Sequence, residues 1–198
     1  MNQLVKVLSA IDNFNKNDPK MEEFEGKKLP SELVYSLRVT HWVKQFNENC
    51  SDELLIAARG VHIGRWEVPR GGYPLGLSGY YQWKTYLHQY HAKKVSAIMA
   101  LHGYGIESIK TVSDIIMRKK LKENMETQML EDAVSLIFLE VQLLPLMAKA
   151  TEEKVLNAIV KTWAKMSHEG KKKALELELP SDALAIIQKA IKPLCLVF

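Results

Sequence analysis

Histidines in three predicted helices, and an acid in a fourth, are the residues of this chain best suited to metal chemistry. His88 and His91 are three residues apart and share one helix face. The acid lies in residues 129–147, a stretch that is apolar on nearly every helical face. Imidazole and carboxylate ligands together suit Zn, Fe or Mn, so this pattern favours a metal site. The residues are His41, His62, His88, His91 and Asp132.

Asp132 has two interpretations. An ionised carboxylate that faces the protein interior costs several kcal/mol unless it is hydrogen-bonded, paired or bound to a cation. An acid in the first turn of a helix is also favoured by the helix dipole alone. The first interpretation predicts a ligand and the second predicts only a well-formed helix start, and spacing leaves both open.

Cationic side chains surround the predicted histidine positions. Arg38 precedes His41 by three residues, and Arg59 and Arg65 are each three residues from His62, which places them near the histidine-bearing helix faces. Guanidinium forks bind phosphate oxygens in two-point fashion, so the pattern favours an anionic substrate. The alternative is that each cation is solvated or pairs with a nearby acid. The full set is Arg38, Arg59, Arg65, Arg70, Arg118, Lys119 and Lys122.

Helical periodicity recurs along the chain, and strand patterns hardly appear. We predict an all-α helical bundle whose helices carry the histidines. Residues 67–80 crowd together glycines and prolines, which predicts one long ordered loop between the second and third histidine-bearing helices. Tyrosines and Trp83 follow this loop; they either offer a stacking surface or, as we prefer, pack the loop onto the bundle.

The composition matches an ordinary globular protein, with 198 residues and 47% apolar residues. We predict a single domain over residues 1–198, with C-terminal helices in residues 151–192 packed on a core of about residues 30–145. The net charge of +4 comes without a basic stripe interleaved with aromatics, so nucleic acid is not the expected partner. The chain has no apolar run of roughly 18 to 20 residues, and its start has no secretory pattern. We therefore expect no membrane span and a cytoplasmic location, and we leave a homodimer open.

The order and context of these residues resemble the HD superfamily of metal-dependent phosphohydrolases. His41 in YSLRVTHWV is similar to its first histidine, and His62 in LLIAARGVHIG to its dyad histidine. His91 in YHAKKVSAIMALHGY and Asp132 in LEDAVSLIFLE are similar to its later ligands. The resemblance implies an HD-domain-like bundle holding a divalent metal (Mn, Fe, Zn or Mg). The chain departs from that pattern at Ile63, which replaces the dyad aspartate, and at Lys119 or Lys120 in IIMRKKLK, where two-metal members often carry a histidine.

The whole chain is more similar to an uncharacterised domain-of-unknown-function family, number four-two-zero-two. The motifs that carry this likeness are IDNFNKNDP, ELVYSLRVTHW, ARGVHIGRWEVPRGGYP and KTWAKMS. That family implies no assigned activity, so it supports the fold and the site more than a reaction.

These observations lead to a metal-dependent phosphohydrolase that acts on a small phosphorylated compound, with nucleotides as one such class. The metal would activate a water, the cations would neutralise phosphate charge, and Glu67 or Glu131 would relay the proton. Two other hypotheses remain open. One is a helical module that binds a phosphorylated ligand or a protein partner without turnover, and the other is an HD-type iron oxygenase.

Overall fold

The structure is a computed structural model that describes residues 2–195, without the side chains of residues 194 and 195. It is essentially all-α, as predicted, and its only sheet within the described residues is a two-stranded hairpin. The strands are β1 (Met21–Phe24) and β2 (Lys27–Pro30). The helices are α1 (Gln3–Asn15), α2 (Ser31–Phe46), α3 (Asp52–Gly60), α4 (Gly76–Leu101), α5 (Ile106–Ile116), α6 (Met125–Ile137), α7 (Leu143–Met147), α8 (Glu152–Trp163), α9 (His168–Leu175) and α10 (Ser181–Cys195).

The β1–β2 hairpin was not predicted from the sequence. Its strands pair antiparallel, with Met21 opposite Pro30 and Phe24 opposite Lys27. The two turn residues, Glu25 and Gly26, both have positive φ (50° and 72°), which is the backbone that a two-residue hairpin turn demands. Strands of four residues rich in Glu and Lys have little alternating apolar pattern, so sequence periodicity does not detect them.

Helix α3 ends earlier than its apolar pattern predicts. We expected this helix to include His62 and to end near Trp66, but it ends at Gly60. A Cβ at Gly60 would lie 2.3 Å from Cγ2 of Val95, so glycine permits a close approach between α3 and α4. His62 consequently lies in the turn that follows α3. A 3-10 turn at Arg65–Glu67 continues this segment.

The long Gly/Pro-rich loop is shorter than predicted. A second 3-10 turn covers Arg70–Gly72, and α4 begins at Gly76, four residues before the expected start at Tyr80. The guanidinium of Arg70 donates hydrogen bonds to the carbonyls of Tyr73 (3.0 Å) and Pro74 (2.8 Å), which order the loop from within.

The chain divides into two compact units, residues 1–130 and 131–198. In the first unit α3 packs against α2 and α5, and α4 packs against α5; its interior includes Ile11, Val34, Leu54, Ile63, Val95 and Met99. In the second unit α8 packs against α10 and α7; its interior includes Leu136, Leu139, Leu143, Ile159, Ala183 and Ile187. A single domain over residues 1–198 stays a prediction.

Across the described part of the chain, no helix combines the length and the apolar character that crossing a membrane requires.

Candidate functional site

Polar side chains from two helices and one 3-10 turn surround His62 inside the first unit. Helix α2 supplies Glu32 and Tyr35, the 3-10 turn after α3 supplies Arg65, and α4 supplies His91. The ring centroid of His62 lies 4.1 Å from that of Tyr35 and 5.7 Å from that of His91. We call these five residues the His62 cluster.

One ring nitrogen of His62 contacts a cation, and the other faces an acid. Arg65 Nη1 lies 3.3 Å from His62 Nε2, and because a guanidinium only donates, Nε2 accepts. The ring proton therefore resides on Nδ1, which faces Glu32 Oε2 at 3.5 Å. Tyr35 covers the ring in a nearly parallel stack, with an interplanar angle of 7°. The imidazole is thus fixed between an acid and a cation.

His62 is uncharged and lies in a positive field. Burial is the main cause that holds the pKa of His62 well below its ordinary value, and the charges of Arg65, Arg118, His88 and Lys84 lower it further. Each of these groups disfavours a second positive charge at this point. The same groups favour a negative charge there, so the electrostatics suit an anionic ligand.

Glu32 is the acid of the cluster, and sequence reasoning missed it. Its side chain is only 16% exposed. Burial raises the pKa of Glu32 to about 7, although the charges of Arg65 and Lys20 oppose the rise. Its Oε2 accepts no hydrogen bond from the described residues. The only sequence signal is its position in the first turn of α2, where an acid is also expected for its effect on the helix dipole.

His91 presents an unpartnered lone pair inside the protein. Its residue is 1% exposed, and Nδ1 lies 2.7 Å from the carbonyl oxygen of Ile63. A carbonyl only accepts, so Nδ1 carries the proton. Burial, followed by the effect of His62, holds the pKa of His91 well below its ordinary value. Nε2 is left as a buried acceptor that no described group satisfies.

The structure brings together two of the four predicted metal ligands, His62 and His91. His41 is on α2, nine residues after Glu32, and its side chain is exposed. Nine residues are about two and a half helical turns, so His41 and Glu32 are on opposite faces of α2. Glu32 faces His62. The helix expected to contribute His41 to the cluster therefore contributes Glu32.

Asp132, the fourth predicted ligand, belongs to the second unit. Its carboxylate accepts hydrogen bonds from the backbone N of Ser167 (2.8 Å) and from the Ser167 hydroxyl (2.6 Å). The same hydroxyl accepts from the backbone N of Gly170 and caps the start of α9. These bonds satisfy a buried carboxylate without an ion. Glu131, a predicted proton relay, pairs with Lys165 at 3.3 Å.

Glu67, the other predicted proton relay, is part of a surface interaction. It accepts a hydrogen bond from the Tyr90 hydroxyl and pairs with Lys94 at 3.1 Å. The hydrogen bond from Tyr90 is the main cause that lowers the pKa of Glu67, and Lys94 adds to it. Glu67 is therefore ionised at neutral pH and ties the 3-10 turn to α4.

Of the predicted phosphate-binding cations, the structure brings Arg65 to the His62 cluster. Arg59 forms a two-point pair with Asp12, at 2.9 and 3.0 Å, and bonds to Thr40. Arg38 lies over the ring of Phe24, 5.0 Å from its centroid. Both guanidiniums thus have contacts within the first unit that explain their positions.

The remaining predicted cations are in the loops. Arg70 bonds the carbonyls of its own loop. Lys119 pairs with Asp114 at 2.7 Å, and Lys122 is exposed. Arg118 and Lys84 both lower the pKa of His62. Arg118 was part of the predicted cationic set, whereas Lys84 was missed.

Only part of the cluster fits the metal site that the HD resemblance implies. Within residues 2–195, no three His, Cys, Asp or Glu side chains form a group that could hold a metal ion. His91 does fit, because a ligating histidine usually donates its other ring N–H to a backbone carbonyl or carboxylate. The His62 ring lies 5.7 Å from that of His91, but Arg65 occupies the Nε2 of His62.

Together the fold and the cluster define an essentially all-α protein with a His–Glu–Arg site inside a helical unit. The chain belongs to the family described as Domain of unknown function (DUF4202), whose family model matches residues 5–187. No curated protein and no solved structure matches it. The likeness to the HD superfamily stays a prediction.

Proposed function

We propose that this chain binds a small phosphorylated compound at the His62 cluster and hydrolyses it. The observation that carries the proposal is the convergence of positive charge on an uncharged imidazole. Arg65 contacts His62 directly, and Arg118 and Lys84 act on the same ring. A phosphoryl group carries negative charge and presents pairs of oxygen atoms that a guanidinium fork can bind at two points.

Arg65 is the residue that would bind the phosphoryl group first. Its Nε is 3.9 Å from Glu32 Oε1, and its side chain is 35% exposed, so the guanidinium is accessible from solvent. Its Cζ lies over the ring of Trp83, 4.9 Å from the centroid, and this cation–π contact holds the guanidinium in place. An oriented guanidinium loses little freedom when it binds an anion, and Arg118 and Lys84 neutralise the remaining charge.

Glu32 is the residue that would move the proton. In hydrolysis a water oxygen bonds to phosphorus, the bond from phosphorus to the leaving oxygen breaks, and one proton passes from the water to the leaving oxygen. The unpartnered Oε2 of Glu32 can take that proton and return it. A pKa of about 7 suits this exchange, because proton transfer is most efficient when the pKa is near the working pH.

A divalent metal (Mn, Fe, Zn or Mg) is part of the proposal because of His91. The residue that would hold it is His91, through its unpartnered Nε2; His62 would join it only if Arg65 left its Nε2. When bound, such an ion supplies a water whose pKa is lowered toward neutrality.

The second candidate is a module that binds the phosphorylated compound without turnover. The observation in its favour is that Arg65 already occupies Nε2 of His62, which leaves one histidine nitrogen in the cluster available to a metal. The compound and the binding residues are the same in both candidates, so turnover separates them. A cytoplasmic location belongs to both proposals.

Calorimetric titration with inorganic phosphate tests the binding step. We expect Arg65→Ala to weaken phosphate binding by about tenfold or more, the loss of a charge-assisted hydrogen bond, and Arg65→Lys to restore part of the affinity. Lys44→Ala is the matched control, since it removes one exposed positive charge from α2. Wild-type protein that binds no phosphate, or Arg65→Ala that behaves like the control, would overturn the proposal.

Phosphate release from a panel of phosphosugars and nucleotides tests turnover, with protein purified without a metal-binding tag and its metal content measured by elemental analysis. We expect release that Glu32→Gln abolishes while phosphate binding remains. Binding without release across the panel, with metal present, would favour the module. Bound metal that His91→Ala does not remove would count against the assignment of His91.

A further inference from the structure

We propose that the turn formed by residues 118–122 is a second anion-binding site, which takes a further phosphoryl group of the same ligand. This inference rests on the proposed function and assigns its ligand to compounds that carry two or more phosphoryl groups. We call this segment the basic turn. It has the sequence Arg-Lys-Lys-Leu-Lys and follows the last residues of α5.

The backbone of the basic turn is strained at three cationic residues. Arg118, Lys120 and Lys122 have φ of 59°, 54° and 73°, a left-handed backbone that L-residues other than Asn and Asp rarely adopt. Glycine would be the unstrained choice at each position. Strain of this kind persists where the surrounding structure or a function requires it.

Helix termination explains the first of the three positions only. The backbone N of Arg118 donates to the carbonyl of Ile115, and that of Lys119 donates to Asp114, which is the usual closure of a helix by a left-handed residue. Lys120 and Lys122 come after this closure. Lys120 opens a second turn, since its carbonyl accepts from the backbone N of Glu123 and of Asn124, but neither this turn nor the helix end requires a lysine where glycine would be unstrained.

The two lysines are available to a ligand. Both are exposed, and among the described residues neither forms an ion pair. Lys119 differs, because it pairs with Asp114. The backbone N–H groups of Lys120, Leu121 and Lys122 also donate to no described acceptor. Consecutive N–H groups in a turn that includes left-handed residues form concavities that bind anions, and here two ammonium groups flank them.

Arg118 connects the basic turn to the His62 cluster. Its guanidinium bonds the carbonyl of Ile116 at 3.0 Å, at the C-terminal end of α5, and its charge acts on His62. Helix α5, which the turn follows, packs against α3, which His62 follows, and against α4, which carries His91; the turn then leads to exposed lysines. A ligand with a single phosphoryl group needs the cluster alone, whereas a chain of phosphoryl groups can reach both.

Titration with orthophosphate and with tripolyphosphate tests this inference. We expect wild-type protein to bind tripolyphosphate more tightly, and the double variant Lys120→Ala, Lys122→Ala to lose about tenfold in tripolyphosphate affinity. Its orthophosphate affinity should remain within about twofold of wild type. The control variant Lys27→Ala, Lys28→Ala removes the same charge from the exposed hairpin strand β2 and should change neither affinity.

Glycine at the same two positions provides a readout that a merely structural role would not give. Lys120→Gly, Lys122→Gly should weaken tripolyphosphate binding as the alanine variant does, yet raise the melting temperature by about 2 °C or more because the backbone strain is relieved. Opposite effects on binding and stability are the signature of strain kept for a ligand.

The outcomes separate this inference from the proposed function. Wild-type protein that binds neither anion would overturn both. Orthophosphate binding that depends on Arg65, together with lysine variants that match the hairpin control, would overturn the basic turn as a site and leave the His62 cluster intact. A glycine variant with unchanged tripolyphosphate affinity would also overturn it.

Discussion

Replacing Glu32 with glutamine removes the acid of the His62 cluster while keeping its size, and the effect on stability depends on pH. Burial raises the pKa of Glu32 from 4.5 to about 7 in the folded chain. A carboxyl whose pKa is raised by folding contributes stability that is fully present below its unfolded pKa and is lost as the pH rises through the folded value. Between about pH 5 and about pH 8 this loss amounts to about 2.5 kcal/mol of unfolding free energy. Glutamine does not ionise, so the variant escapes the loss.

The histidines of the cluster have the opposite dependence. Folding lowers the pKa of His62 and of His91 below 6.5, so their contribution is present above that value and is lost as the pH falls. Wild type and variant share these histidines, and their effect largely cancels in the difference between the two proteins. The stability of Glu32→Gln relative to wild type should therefore rise by about 2.5 kcal/mol from about pH 5 to about pH 8.

Urea unfolding followed by tryptophan fluorescence measures this difference. Trp42, Trp66 and Trp83 belong to the first unit and Trp163 to the second, so a Trp163→Phe background restricts the signal to the unit that contains Glu32. A chelator in the buffer keeps metal ions from competing with protons for the side chains of the His62 cluster. A difference that stays constant within about 0.5 kcal/mol across this pH range, well below the expected change, would refute a carboxyl buried as described.

Four further substitutions test the packing around the site and in the second unit. Gly60→Ala should cost about 1 to 3 kcal/mol of stability, because the alanine Cβ would lie 2.3 Å from Cγ2 of Val95. Thermal unfolding measures this cost, and an unchanged melting temperature would contradict the close approach of α3 and α4. Asp132→Asn should cost about 1 to 3 kcal/mol in urea unfolding, because asparagine keeps only one of the two oxygens that accept from Ser167. Ser167→Ala should cost about 1 kcal/mol, because it removes the hydroxyl that donates to Asp132 and accepts from the backbone N of Gly170 at the α9 cap. Stability equal to wild type in both variants would show these bonds to be dispensable. Arg70→Ala should speed proteolytic cleavage within residues 70–76, because the bonds of Arg70 order only that loop. The free energy of unfolding should fall by only about 1 kcal/mol, and an unchanged cleavage rate would contradict this role.

Most helices could be predicted from the sequence, because their signals are local. Ser51 caps α3 and accepts from the backbone N of Leu54, as its position before Asp52 and Glu53 indicates. Gly103 ends the α4 segment with φ of 80°. Caps, breakers and 3.6-residue periodicity act within a few residues, so they can be read without knowledge of the fold. The family motifs also pointed to the family that the chain belongs to.

The composition of the site could be predicted only in part. His62 and His91 were both named, and they lie together. His41 was predicted as the ligand from α2 and Glu32 was missed, yet α2 turns Glu32 toward His62 and leaves His41 exposed. Which face of a helix meets a neighbour depends on the crossing of the two helices, and sequence periodicity does not specify that crossing when both faces carry polar residues.

The sequence by itself determined the helical class, the positions of most helix ends, and the supply of imidazole, carboxylate and guanidinium groups, since these follow from residue types and short spacings. Only the tertiary structure decided which of these groups meet. Glu32 and His62 are thirty residues apart in the chain, and their contact arises from the packing of α2 against α3. Burial, which raises the pKa of Glu32 and leaves His91 Nε2 without a partner, is likewise a property of the packed unit and of no single segment.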